Sequence, residues 1–566
     1  MNFEKFNYKR PNIKKITHDL NQLLNRFKQS TDIEELSKII SKINQLRSNF
    51  ESMMNLAYLQ FMRNTSDSFY LEEQKFFDES NPIYQNLLND YFRLLVNCEC
   101  RSQLEERWGK QFFTLAELQT KTISTNIIED LVLENKLVSQ YTKLISSARI
   151  IFLSKEMNLT QVRAYSQNIN RELRKQAVNA RYGFYEENEE ELDLIFTNLV
   201  KKRTEIAQKL GYDNFIELGY ARMLRIGYDS KMIRIFRKQV KDVIVPLLIE
   251  LKENQKNRLK VKTLRYYDLD ILFDDGNPEV KGNNKWILNE FEHVFKGISP
   301  ETAEFYQFMK SNKLLDVETR NDKARAGYCT YIAEHKSPFI FANFNGTSDD
   351  VRVFLHEAGH AFQLYASRNL ELIDYHYPTY EACEIFSMSM ELFGWKWLHP
   401  IFGEDTNKYK YLHLHEALDW LVYCVAVDEF QHVVYENPLL TPNERKEKWR
   451  NIEKEYLPFR NYEGNDYLER GGYWQQQTLI YKTPFYFIDY ALAQVCAFQF
   501  WKRFKTNEQE TFSKFLTICK AGGSNSFLAI LEESNLISPF VNDCIESILP
   551  MLKNELVTIE CNMKLK

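Results

Sequence analysis

From the start of the chain to about residue 200, apolar side chains recur at the spacing of amphipathic helices. Ile16, Leu20, Leu23, Leu24 and Phe27 form one stripe; Leu36, Ile39, Ile40, Ile43, Leu46 and Phe50 form the next; Leu87, Leu88, Tyr91, Phe92 and Leu95 form another. Thr31 and Glu34 have capping-box spacing and predict the start of the second helix. Gly211 predicts a helix end and Asp213 the cap of the helix that follows. Turn chemistry marks loops at residues 274–278 and 282–284. The texture changes between Gly327 and Asn345. Residues 328–332 and 339–344 are short and rich in β-branched and aromatic side chains, with Gly346 after the second, and predict two strands. Thr347 or Ser348 then caps a helix whose first turn holds Asp349 and Asp350. The expected fold class is mainly α with a small β-sheet.

A length of 566 residues exceeds what one hydrophobic core usually serves, so a two-part molecule is expected. The formal charge of −5, with 73 basic and 78 acidic residues dispersed along the chain, offers no footprint for nucleic acid or an anionic membrane. The acidic run Glu186, Glu187, Glu189, Glu190, Glu191 and the basic run from Lys252 to Lys262 read as solvated helix faces. The N-terminus is polar, and no run approaches the roughly 18 apolar residues a spanning helix needs, so a cytoplasmic protein is expected. Nine scattered cysteines without a C-x-x-C pattern argue against both a disulfide framework and a cysteine zinc site.

The helix expected after Ser348 carries His356-Glu357-Ala358-Gly359-His360. Histidines four apart share a helix face, so both imidazoles can reach one metal ion while Glu357 lies beside it, which is the chemistry of a zinc peptidase. A catalytic zinc site takes three protein ligands. The next helical segment, with Pro378 and Thr379 at its start, presents Glu384, Ser387 and Glu391 on one face. Glu384 is the candidate third ligand, and Glu381 or Glu391 can hydrogen-bond a ligand imidazole. A rival pattern exists. Glu334, Glu357-x-x-His360, Glu384 and Glu429-x-x-His432 follow the order of a di-iron helical bundle. It places Glu334 in the strand region and leaves His356 without a role. The strand before the metal helix suits a peptidase, because an exposed edge can pair with an extended peptide backbone. Gly327, Tyr328, Phe341 and Asn343 are the candidate substrate-binding residues there.

Together these motifs resemble the thimet oligopeptidase and oligoendopeptidase F family of zinc metallopeptidases, especially its bacterial Pz-peptidase-like branch. The resemblance rests on Ser337-Pro338-Phe339 through Asn345-Gly346-Thr347-Ser348, the H-E-A-G-H pentad, Glu384-x-x-Ser387-x-x-x-Glu391, Asp428-Glu429-Phe430-Gln431-His432, and the segment from Pro484-Phe485-Tyr486 to Gln494. It runs from about residue 160 to about 550. It implies a large helical two-part metallopeptidase with a deep substrate channel, divided into a helical N-terminal domain at 1–190 and a catalytic domain at 191–566. It implies one Zn2+ per chain on His356, His360 and Glu384, and Glu357 as general base. Tyr486 and Tyr490 become oxyanion donors, and Tyr473, after two glycines, a tyrosine that contacts substrate. The substrates implied are short unfolded oligopeptides cut at internal bonds.

One position departs from the family. Relatives carry a histidine shortly before the P-F-Y segment, where this chain has Leu479, and no histidine follows His432. Losing one such donor typically costs a factor on the order of 100 to 1,000 in rate, so a slower or differently selective peptidase is expected. The alternatives left open are a metal-containing peptide-binding protein with little or no turnover, and a helical H-E-x-x-H carboxypeptidase.

Overall fold

The computed structural model describes residues 2–324 and 326–564. Among them helices dominate, accompanied by two small sheets of two and three strands. The chain forms two compact units, each assembled from three stretches. The first comprises the chain up to Lys121, Glu279–Thr406 and Cys496–Ile537; the second comprises Thr122–Pro278, Asn407–Val495 and the chain from Ser538 onward. The boundary expected at residues 190–191 falls within the second unit, in the first turn of the helix Glu189–Lys209.

In the first unit, the long helix Ile33–Arg63 buries Leu36, Ile39, Ile40, Ile43 and Phe50, the stripe its periodicity predicts. Its cap is Asp32, whose side chain accepts from the Glu34 amide; the capping box assigned to Thr31 does not form. The three-stranded sheet has Ser337–Phe344 in the middle. Tyr328–Ile332 pairs with it antiparallel on one side, and Leu315–Glu318 pairs with it parallel on the other. The third strand was not expected. It carries Asp316, which Arg63, Arg320 and Lys323 surround with ion pairs. After the sheet come two helices, Asp349–Ser367 and Tyr380–Phe393, packed closely together. Stacked aromatic pairs such as Phe291 with Phe354 and Phe393 with Phe504 fix them in the core of this unit.

The second unit holds the helices Ile128–Ser146, Glu189–Lys209 and Phe215–Arg222, together with most of the long helix that ends at Glu436. Gly211 takes the left-handed conformation after Lys209, as expected, but the next cap is Asn214 and not Asp213. A hairpin of Ile150–Phe152 and Lys155–Met157 interrupts the helices and packs Ile150 and Phe152 against Val162 and Ala177. The acidic run is no single face. Glu186 and Glu187 end one helix and Glu189 to Glu191 begin the next, where acidic groups meet the helix dipole. The basic run is paired internally: Lys252 with Asp419, Arg258 with Glu560, Lys260 with Asp274. None of the nine cysteines is in a disulfide.

Candidate metal centre

The turn from sheet to pentad helix is held by Asp350. Its carboxylate accepts from the amides of Asn345 at 3.0 Å and Gly346 at 2.7 Å, while Ser348 sits at the cap without a side-chain hydrogen bond. Burial pushes Asp350 up to about 6 despite these bonds. Nearly two turns further on, His356 and His360 project from the same face, their ring centroids 5.0 Å apart.

The second helix supplies the rest. Glu384 Oε2 lies 3.2 Å from His356 Nε2 and 3.6 Å from His360 Nε2. Tetrahedral zinc with ordinary bond lengths separates its ligand atoms by about 3.4 Å, so the three donors already have the spacing of one ion's shell. Among the described residues, His356, His360 and Glu384 form the single group of three metal-capable side chains that converge in this way. The remaining atoms of the site are held by hydrogen bonds. Glu391 Oε1 takes His356 Nδ1 at 2.7 Å, and Ser387 Oγ donates to Glu384 Oε2 at 2.9 Å. Orienting bonds of this kind aim imidazole and carboxylate lone pairs at a common point.

Gly359 explains how the two helices come so close. A Cβ at this position would stand 2.5 Å from the Phe386 carbonyl oxygen and 2.5 Å from Ser387 Cα, both backbone atoms of the ligand helix. The middle of the pentad is thus a contact surface as well as a spacer.

The electrostatics suit a cation. Glu357, Glu384 and Glu391 are all buried around two imidazoles. Burial pushes Glu357 up to about 7; His356 opposes this, and Glu384 and Glu391 reinforce it. Burial pushes His360 down to about 4, leaving it neutral. Burial also opposes charge on His356, but Glu384 and Glu391 outweigh it and draw its pKa well up. The carboxylates that hold a proton there would hold a divalent ion, since buried like charges need a compensating partner. The donor set fits zinc.

Glu357 faces the edge strand, with the Cys329 amide directed at its carboxylate. Gly327 lies beside it: a Cβ there would be 3.9 Å from Glu357 Oε1. Tyr328 stacks on Phe341 with ring centroids 5.1 Å apart. Phe341 itself is fully buried in the middle strand, paired on both sides, so it supports the sheet and offers no free edge. The free edge belongs to Tyr328–Ile332. Asn343 uses its amide nitrogen on the carbonyls of Ala324 and Ala326, 2.9 Å each, and so shapes the loop that delivers Gly327. Glu381 is fully buried at the start of the ligand helix.

In the second unit, Tyr486 and Tyr490 stand one helical turn apart with ring centroids 5.0 Å apart. Phe485 before them is buried with φ of 70°, a conformation rare for a bulky residue; Gln431 Oε1 accepts from its amide, and Arg225 donates to its carbonyl. Tyr473 packs between Tyr423, Trp449 and Tyr462, with the Arg460 guanidinium 4.0 Å over its ring. Leu479 is half-buried in the helix Thr478–Lys482. Sequence reasoning missed the parts played by Gly359, Asp350 and the Cys329 amide, which depend on elements distant in the chain.

The pattern of Peptidase family M3 matches residues 301–548, and that of the Peptidase M3 N-terminal domain matches residues 3–123. A solved structure of Pz peptidase A with an inhibitor is 50% identical, covering 99% of this chain and 100% of that one, with a TM-score of 0.94. A structure described as an oligoendopeptidase F from Bacillus anthracis str. Ames is 47% identical, covering 99% of each chain, with a TM-score of 0.90. An oligoendopeptidase F homolog of Borreliella burgdorferi is 24% identical over 422 residues, which is 69% of this chain and 68% of that protein. The chain belongs to peptidase family M3 and is a peptidase.

Proposed function

We propose that this peptidase is a zinc-dependent endopeptidase of short, unfolded oligopeptides, acting in the cytoplasm. The observation that carries the reading is the convergence of His356, His360 and Glu384 with Glu357 alongside, two imidazoles and a carboxylate being a donor set that zinc favours. No helix among the described residues is long and apolar enough to cross a membrane. When bound, zinc supplies a Lewis acid that acidifies water and polarises the carbonyl to be attacked.

The chain's own groups do the rest. Glu357 Oε1 or Oε2 accepts a proton from the attacking water and returns it to the departing amine nitrogen, the work of a general base that then acts as acid. Glu391 holds the His356 ring through Nδ1, and Ser387 holds Glu384, so neither ligand needs to reorganise during the reaction. The strand Tyr328–Ile332 is the surface along which a peptide backbone is taken up, through main-chain hydrogen bonds that ignore side chains. From the resemblance of the segment that contains them, Tyr486 and Tyr490 are assigned the donation of hydrogen bonds to the oxyanion. Tyr473 is assigned a substrate contact on the same ground.

The test is incubation with quenched peptides, with and without chelator, with products weighed by mass spectrometry. Chelator-sensitive internal cuts are expected. Release of single residues from the C-terminus would make the protein a carboxypeptidase, and binding without cleavage would make it a peptide carrier.

A further inference from the structure

The edge strand beside Glu357 is open to a peptide over only part of its length. Ile340, opposite Cys329 in the sheet, donates its amide to Leu314 on the far side at 3.0 Å, so the Cys329 and Ile340 pair is not hydrogen-bonded across the two strands. In an antiparallel pair such positions alternate. Cys329 and Tyr331 therefore turn their backbone groups outward, and Gly327, two residues earlier, continues the outward series.

Two of these outward groups are already engaged. The Cys329 amide is directed at Glu357. Asn55 Nδ2 donates to the Tyr331 carbonyl at 3.0 Å. Asn55 is on the helix Ile33–Arg63, and one turn before it Ser52 Oγ accepts from the Glu334 amide at 3.0 Å, so this helix is fastened to the far half of the edge at two points. One turn after it, Tyr58 stays 42% exposed beside Tyr328. The near half keeps the Gly327 amide, the Gly327 carbonyl and the Cys329 carbonyl, none of which has a partner among the described residues.

We propose that Asn55 forms an end-stop for the docking edge, limiting the grip on substrate to Gly327 and Cys329 and so setting how many residues on one side of the cut contribute to recognition. The inference rests on the proposed peptidase mechanism, in which the edge strand receives the peptide. A Tyr331 carbonyl released from Asn55 would extend the ladder by one main-chain hydrogen bond, and with it the length of peptide the enzyme can sense.

The experiment is a peptide series with one fixed cleavable bond, lengthened one residue at a time on either side, with kcat/KM measured for wild type, Asn55→Ala and Asn55→Ser. In the wild type, kcat/KM is expected to rise and then level off on the side that runs along the strand. In Asn55→Ala the rise should continue over the next residue, by about threefold for one backbone hydrogen bond. Asn55→Ser keeps a polar side chain, too short to reach the Tyr331 carbonyl, so it tests the idea even where Asn55→Ala is unstable; it should extend the rise by about threefold as well. Length profiles that level off at the same residue in all three proteins overturn the end-stop. Absence of cleavage by the wild type would instead overturn the proposed function, so the two failures are distinct.

Discussion

Gly359→Ala should separate metal affinity from fold stability. The added Cβ meets two backbone atoms of the ligand helix at 2.5 Å, where ordinary contacts begin near 3.4 Å. No side chain can move aside, so the helices must part by about 1 Å. Overpacking of this kind costs about 1–3 kcal/mol, but replacing a mid-helix glycine by alanine returns about 1 kcal/mol, leaving a net loss of about 0–2 kcal/mol. The metal site is less forgiving, because coordination distances tolerate shifts of only about 0.2 Å. Glu384 rides on the displaced helix while both histidines stay on the other. Zinc affinity is therefore expected to fall at least 10- to 100-fold, the range seen when the support of a ligand is disturbed. Competition with a fluorescent chelator gives the affinity, and urea unfolding of the metal-free protein gives the stability. If the variant bound zinc as tightly as wild type, the idea that the Gly359 contact sets the ligand spacing would be wrong.

Glu357→Gln should lower peptide turnover by a factor of about 100 to 10,000 while leaving zinc binding in place, since an amide cannot accept the proton; equal turnover by the two proteins would remove Glu357 from the role of base. Leu479→His should raise turnover, by no more than the factor of about 100 to 1,000 that a single transition-state donor supplies, and unchanged steady-state rates would show that position 479 does not face the reaction. Burial pushes Asp428 up, but His432, Arg237 and Arg225 hold it at about 2, below its ordinary 3.8. A depressed carboxylate stabilises the fold above its unfolded pKa and loses that contribution as pH falls through the folded one. Wild type should thus lose about 2 kcal/mol relative to Asp428→Asn between about pH 5 and pH 2 in urea titrations, and parallel curves would contradict the assignment.

The parts of the fold that could be read from sequence are those whose signal is local. The His356 to His360 spacing, the shared face of Glu384, Ser387 and Glu391, and the Tyr328 to Ile332 strand all follow from the period of one element. The missed parts lack a local signal. The hairpin at Ile150 to Met157 turns through Leu153 and Ser154, both at positive φ, where an Asn-Gly pair would have announced it. Leu315–Glu318 reads as polar because Asp316 is neutralised by cations from Arg63, Arg320 and Lys323, the first of them more than 250 residues away. Gly359 reads as a helix weakness until the partner helix is in view.

The two E-x-x-H motifs show why spacing alone does not identify a metal ligand. His432 has the same relation to Glu429 that His360 has to Glu357. Yet both of its nitrogens are engaged by the protein. Nε2 lies 3.0 Å from the Tyr220 hydroxyl, and Nδ1 lies 2.8 Å from the Asp428 carbonyl and 3.0 Å from the Arg237 guanidinium. Glu429 accepts from the Tyr456 hydroxyl at 2.6 Å. An imidazole with no spare lone pair and a cation against it repels a metal ion. At His356 the arrangement is reversed. One nitrogen is fixed by a carboxylate and the other points at a second carboxylate, so the local field is negative where the lone pair is aimed. Glu334, which the di-iron order requires on a helix of the bundle, lies in the short turn Ala333–His335. What separates a ligand from a structural histidine is the charge and donor character of its neighbours, and those neighbours come from other elements of the fold.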